Sequence, residues 1–344
     1  MERADSAPRF CVCTFIVMNL YLPMMNNKTN MFFQKAIKLL LVFVLLVFAL
    51  PFYSQNLKER RVYYLDCSYS MVTLGLWDKV RENLMEAIDK VEDETTELMV
   101  IPFAFDAQSN PKLQAYSAVA TRDGKAHLKS LIKGLAEPNK NTMTYHNVPI
   151  KDFMVSRVND KRVTYLFLMT DGDDEDKARE FDNIVKNQWT SRYGQKDVYG
   201  FYVMLDGSAK DSKREQVIDK APNFWTVETA DVNIRLIRFD KKAVFNIRND
   251  KYMDLTTYGN LSGLSFNCSF DGQCPYKITK STIEGNKLRI FIDSPTPKSQ
   301  LPAALDCPMS VRMSGGDKYT FLVTDKIVVN CKNEKEYSLK VTVK

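Results

Sequence analysis

Between residues 61 and 230, short apolar runs alternate with longer stretches in which apolar residues recur every three or four positions. RRVYYLDC (60–67), ELMVIPFAFD (97–106), RVTYLFLMTDG (162–172), DVYGFYVML (197–205) and NFWTVETA (223–230) read as strands. Between them, WDKVRENLMEAIDKVEDE (77–94) places Trp77, Val80, Leu84, Ile88 and Val91 at helical spacing. DGKAHLKSLIKGL (123–135) predicts a helix ending near Gly134, and TYHNVPIKDFMVSRV (144–158) a second one interrupted by Pro149. DEDKAREFDNIVKNQW (174–189) predicts a helix with Phe181, Ile184, Val185 and Trp189 on one face, and SAKDSKREQVIDKA (208–221) a polar one with a solvated face. Strands that alternate with helices make βαβ units. The fold class expected is therefore α/β, a doubly wound, mostly parallel sheet covered on both faces.

After about residue 232 the pattern changes. NIRLIRF, AVFNI, KLRIFI, YTFLVT, KIVVN and YSLKVTV are short β-rich runs separated by turn residues such as RND, EGN and SGGD, and no helical period is sustained. This predicts a small all-β, sandwich-like domain after the α/β one. The expected division is a leader over 1–54, an α/β domain over 58–231 and a β-rich domain over 232–344.

The leader is read from residues 31–55, MFFQKAIKLLLVFVLLVFALPFYSQ. Lys35 and Lys38 precede an apolar core from Leu39 to about Phe52, and Ser54 offers a cleavage point, the layout of a secretory signal. The core is short for a bilayer span of about 20 residues. An uncleaved anchor over 31–53 is the alternative if the lysines snorkel. Met25 or Met31 is the expected true start. An exported chain, secreted, periplasmic or on the cell surface, follows.

Composition narrows the partners. The 344 residues are 45% hydrophobic and 26% charged, an ordinary globular make-up. Loss of 1–54 would remove five basic and two acidic residues and take the net charge from +6 to +3. With no basic run or basic helix face, nucleic-acid binding is excluded. Cys11 and Cys13 would leave with the leader and Cys67 stands alone. Cys268, Cys274, Cys307 and Cys331 make two disulfides plausible in an oxidising compartment, with three connectivities open. No CxxC occurs, and the only histidines, His127 and His146, lie far from these cysteines, which excludes a zinc knuckle.

Three stretches fall at or near the C-terminal ends of strands, where open parallel sheets bind ligands. They are Asp66-Cys67-Ser68-Tyr69-Ser70, Asn141-Thr142-Met143-Thr144-Tyr145 and Thr170-Asp171-Gly172. Hydroxyls and carboxylates together suit a hard cation that prefers oxygen donors. Two local readings compete: Ser70 as a simple helix cap, and the acid run Asp171–Asp176 as a calcium loop. The run lacks the EF-hand spacing, and is better read as one site aspartate followed by an acid-rich helix N-terminus. Cys67 has no His or Asn partner placed by the sequence and reads as a small buried thiol.

Asp66-x-Ser68-x-Ser70-Met71 at the end of a first strand, a later threonine, and a strand ending in Thr170-Asp171-Gly172 resemble the von Willebrand factor type A domain. PFAFD, with Phe105 and Asp106, resembles that family's second strand. The resemblance covers about half the chain. It implies a metal-ion-dependent adhesion site in which Asp66, Ser68, Ser70, Thr142 and Asp171 hold Mg²⁺ or Mn²⁺. Such a site captures a Glu or Asp carboxylate of a protein partner and is not an enzyme. Two departures stand out. Tyr69 replaces the family's frequent glycine, and the threonine element reads NKNTMTYHN instead of following glycines. Thr142 is aligned because Tyr145 then meets the family's aromatic position, and Thr144 remains the alternative. A metal-dependent hydrolase and a metal-free envelope scaffold are the rival functions.

Overall fold

The computed structural model describes residues 57–106, 113–158, 161–194, 196–205, 211–228 and 234–334. The expected leader, anchor and start sites lie outside the described residues, as does the run YSLKVTV. Among the described residues no helix is long and apolar enough to cross a membrane.

The first eight strands are β1 (Glu59–Asp66), β2 (Thr96–Phe103), β3 (Phe105–Asp106), β4 (Tyr116–Val119), β5 (Thr142–Met143), β6 (Val163–Thr170), β7 (Val198–Met204) and β8 (Phe224–Glu228). Six form one sheet in the order β4-β2-β1-β6-β7-β8. All pairings are parallel except the β2–β4 edge, so the fold class is the doubly wound α/β expected. The strand order reverses between β1 and β6, which makes their carboxyl ends the switch-point crevice.

Alternate residues of each strand enter opposite layers. Val62, Tyr64, Leu166, Leu168 and Tyr202 pack against Ile150, Phe153, Phe181, Trp189 and Ile218. Tyr63, Leu65, Phe167, Met169 and Phe201 pack on the other side against Val80, Leu84, Ile88, Leu128 and Ile132. Burial on both faces is why these strands read as continuous apolar runs.

The helices are α1 (Tyr69–Thr73), α2 (Trp77–Asp89), α3 (Arg122–Lys133), α4 (Asn147–Asp152), α5 (Glu180–Ile184), α6 (Thr190–Tyr193) and α7 (Ser212–Ile218). Pro149 sits in the first turn of α4, where its missing N–H costs nothing. The helix therefore continues, through a π-turn at Phe153–Arg157. Two expectations are corrected. The helix expected from Asp174 starts only at Glu180, because the aspartates before it are spent on turns: Asp176 accepts the backbone N–H of Ala178 (3.1 Å) and of Glu180 (2.6 Å). And α7 is not simply a solvated face, since Arg214 and Ile218 are buried.

The remaining strands are β9 (Arg235–Phe239), β10 (Lys242–Asn246), β11 (Met253–Tyr258), β12 (Leu264–Phe270), β13 (Lys277–Glu284), β14 (Lys287–Asp293), β15 (Ala304–Gly315), β16 (Thr320–Leu322) and β17 (Lys326–Lys332). They form two sheets, β10-β17-β15-β12 and β13-β14-β11-β9-β16. Ile237, Phe239, Leu255 and Ile290 of one sheet share a core with Met309, Val311 and Val329 of the other, the sandwich expected. The EGN signal becomes a two-residue hairpin between β13 and β14, with Gly285 at φ +62°.

This sandwich also lies on the α/β sheet. A row of rings, Tyr63–Phe167 (centroids 4.7 Å apart), Phe167–Phe201 (5.2 Å) and Phe201–Trp225 (5.2 Å), stacks across four strands. Phe321 of β16 meets Phe201 edge-on at 5.4 Å, and buried Leu236 and Val323 join the same cluster. The described residues from Lys58 onward thus form one compact unit.

One disulfide, Cys274–Cys307, replaces the two expected. Cys268 and Cys331 are buried thiols. Cys268 lies opposite Val311 and Cys331 opposite Leu305, six positions apart along β15. At about 3.3 Å per residue that is roughly 20 Å, far beyond disulfide reach.

Candidate metal centre

Asp66 is the last residue of β1. The parallel register sets Leu65 opposite Met169, so Thr170 and Asp171 come up beside Asp66 at the ends of adjacent strands. Both carboxylates are fully buried. The chain turns at Ser68, whose backbone N–H donates to Asp66 Oδ1 (2.8 Å), and the Ser68 and Ser70 hydroxyls lie 2.9 Å apart. Ser70 is in the short helix α1, and its hydroxyl is bonded to Ser68 instead of capping a helix end.

The threonine element separates into two parts. Thr144 is buried and its hydroxyl lies 3.3 Å and 3.4 Å from the two oxygens of Asp66. Thr142 pairs with Asp106 in the antiparallel β3–β5 ladder, and its hydroxyl donates to the carbonyl of Asn139 (2.8 Å). The structure therefore brings Asp66, Ser68, Ser70, Thr144 and Asp171 together, whereas Thr142 stays at the rim. The β3–β5 pairing is the reason: it sets Thr142 opposite Asp106, while Thr144, two residues on, lies against Asp66.

Two crevices meet over these residues. One, of about 630 Å³, is lined by Ser68, Tyr69, Ser70, Thr142 and Thr144. The other, of about 750 Å³, is lined by Ser70, Leu74, Asp171 and Asp173. Tyr69 thus forms part of the wall, where a glycine would leave it open. Leu74 and Met143 are exposed apolar side chains at the two mouths.

Burial first, and then the like charge of Asp171, pushes the Asp66 carboxyl up to about 6. Asp171 Oδ1 accepts from the backbone N–H of Asp173 (3.0 Å), but its buried Oδ2 has no partner. Two buried carboxylates and an orphaned oxygen facing hydroxyls are the donor set of a hard cation, which would satisfy that oxygen and offset the repulsion. Among the described residues no three His, Cys, Asp or Glu side chains gather as a metal cluster; the further donors at this site are hydroxyls.

Behind the donors runs a buried network. Thr170 donates to Asp66 Oδ2 (2.7 Å), so its oxygen must accept from His146 Nε2 (3.0 Å). His146 Nδ1 stands 2.8 Å from Arg214, 3.2 Å from the Tyr202 hydroxyl and 3.3 Å from Asp174 Oδ2. Arg214 also holds Asp174 (2.7 Å) and Asp182 (2.9 Å). Burial works to raise the Asp174 carboxyl, but the bond and charge of His146 and the charge of Arg214 outweigh it and hold it well below the usual carboxylate range. Arg214 was invisible in the sequence: it sits in a run of charged residues, and only the buried positions of its partners betray it. Cys67 is held far above a reactive thiol by burial and then by Asp66.

No protein-family model matches this chain, and no curated protein does. Among solved structures, similar ones include proximal thread matrix protein 1 from the mussel byssus, at 13% identity over 56% of this chain and 54% of that one, TM-score 0.38. Human COPII-coat protein Sec24c is similar at 9% identity over 80% and 44%, TM-score 0.37. A von Willebrand factor type A protein from Catenulispora acidiphila is similar at 13% identity over 79% and 64%, TM-score 0.35. The chain spans about half the length of the first two. It carries the doubly wound α/β fold together with the DxSxS and TDG elements on which its resemblance to the von Willebrand factor type A domain rests.

Proposed function

We propose that this chain is an exported, non-catalytic binding protein that uses a divalent cation to capture a carboxylate of a protein partner. The observation that carries the reading is the convergence of Asp66 and Asp171, both buried, with Asp171 Oδ2 unpartnered, beside the hydroxyls of Ser68, Ser70 and Thr144. Those five residues would hold Mg²⁺ or Mn²⁺, and the bound cation would supply an electrophilic site for an acidic side chain. Leu74 and Met143 beside the crevices offer apolar contact around such a group. Both His146 nitrogens are engaged in the buried network, so among the described residues no histidine lines either crevice as a general base, which favours binding over catalysis.

The test is calorimetric titration of Mg²⁺ and Mn²⁺ into the chain, wild type against Asp66→Ala. Saturable binding lost in the variant, whose far-ultraviolet spectrum is unchanged, is expected. Heat-free titrations of a folded wild type would refute the metal reading, and metal-dependent turnover of an ester or phosphate would refute the non-catalytic one.

A further inference from the structure

Seven residues before Asp66, about 23 Å along β1, the other edge of the α/β sheet faces the sandwich across a cavity of about 750 Å³. Three arginines line it: Arg61 of β1, and Arg235 and Arg238 of β9. Arg61 is neutralised by Glu59, Nε to Oε1 at 2.7 Å. Arg235 is fixed by the carbonyls of Asn260 (2.9 Å) and Ser262 (2.6 Å), which hold it in place without cancelling its charge. Arg238 has no acceptor among the described residues. Its Nε is buried without a partner, while its guanidinium lies on the ring of Tyr258, 3.8 Å from the centroid, directly across the β9–β11 pair.

Carboxylates share the wall with the cations: Glu59, Glu92, Asp93 and Asp317 line the same cavity, as does Lys90. Asp93 accepts from the backbone N–H (2.8 Å) and hydroxyl (2.7 Å) of Thr95, and Asp317 from the N–H of Tyr319 (2.9 Å) and hydroxyl of Thr320 (2.9 Å), so both are committed to turns. Tyr165 lies on the floor, with Arg61 Cζ 5.8 Å from the centre of its ring. A half-buried guanidinium stacked on a ring, its buried Nε without a partner, is pre-organised to give a two-pronged bond to an oxyanion.

We propose that this cavity binds a small organic oxyanion, a carboxylate or phosphate on a compact body, with Arg238 as its principal donor. The site is independent of the metal centre. The alternation of β9 supports the assignment, because Leu236 and Arg238 face the α/β sheet while Ile237 and Phe239 face the sandwich core.

The experiment titrates the full chain with benzoate and with phenyl phosphate, the two arms separating carboxylate from phosphate as the preferred head. One-to-one saturable binding of at least one probe is expected, weakened roughly tenfold or more by Arg238→Gln. Asp66→Ala and chelator should leave it unchanged. Should Arg238→Gln fold poorly, Arg238→Lys, which keeps the charge and loses the fork, should weaken binding in the same direction. Saturation by neither probe overturns the proposal, as does wild-type affinity in both Arg238 variants. Binding abolished by Asp66→Ala would also overturn it, by placing the anion at the metal centre.

Discussion

Replacing Arg214 by leucine should be among the most damaging single changes in the α/β part. The guanidinium is 3% exposed and bonds Asp174, Asp182, His146 and Tyr202, with its Cζ 4.9 Å from the centre of the Phe181 ring. Leucine would fill much of the volume but leave Asp174 and Asp182 buried against a missing cation. Breaking such a pair from one side costs about 3–5 kcal/mol. In a unit of this size 1 kcal/mol moves the melting temperature by about 2–4 °C, so a fall of about 6–20 °C is expected by calorimetry. Because the cost is uncompensated charge, the triple variant Arg214→Leu, Asp174→Asn, Asp182→Asn should recover part of the loss. A single variant melting within about 2 °C of wild type would refute the argument. So would a triple variant less stable than the single one.

Thr144→Val should weaken Mg²⁺ binding by about tenfold or more, and Thr142→Val by less than about twofold, in parallel titrations. The Asp174 carboxyl titrates lower in the folded than in the unfolded chain, whose value is about 3.9. Its stabilising contribution is therefore complete above about pH 4 and lost as the pH falls further. The melting difference between wild type and Asp174→Asn should shrink between pH 6 and pH 3. The Cys274–Cys307 bridge spans 33 positions, and Cys274→Ser should cost about 3–4 kcal/mol in urea unfolding. Alkylation of the unfolded, unreduced chain should label Cys268 and Cys331 but not Cys274 or Cys307.

The central strands β1, β2, β6 and β7 were legible because each is buried on two faces, so Tyr63–Leu65 or Leu166–Met169 read as apolar without any knowledge of their neighbours. The half-exposed edge strand β4 was not. The long amphipathic helix Trp77–Asp89 was legible for the same reason on one face. Asp66, Ser68, Ser70 and Asp171 were legible because strand ends and a fixed turn place them. Thr144 was not, since choosing it over Thr142 needs the pairing of Asp106 with Thr142, a contact between segments far apart in sequence. Arg214 was not, since a buried charge and a solvated one look alike in a helix of mixed polarity. The disulfide pairing depended on which faces of β12, β15 and β17 share a core, information that spacing alone does not carry.

The row of stacked rings from Tyr63 to Trp225 has a consequence for how this chain can be divided. Phe321, Leu236 and Val323 close part of the sheet face that helices cover elsewhere. A fragment ending near residue 228 would therefore present an aromatic plane to water, a surface prone to self-association. The α/β part is thus not a portable module that can be cut out and grafted elsewhere. Any rearrangement of the gene that moved it would have to carry the following hundred residues along, and a mutation deep in the sandwich can reach the candidate metal centre through shared stability alone.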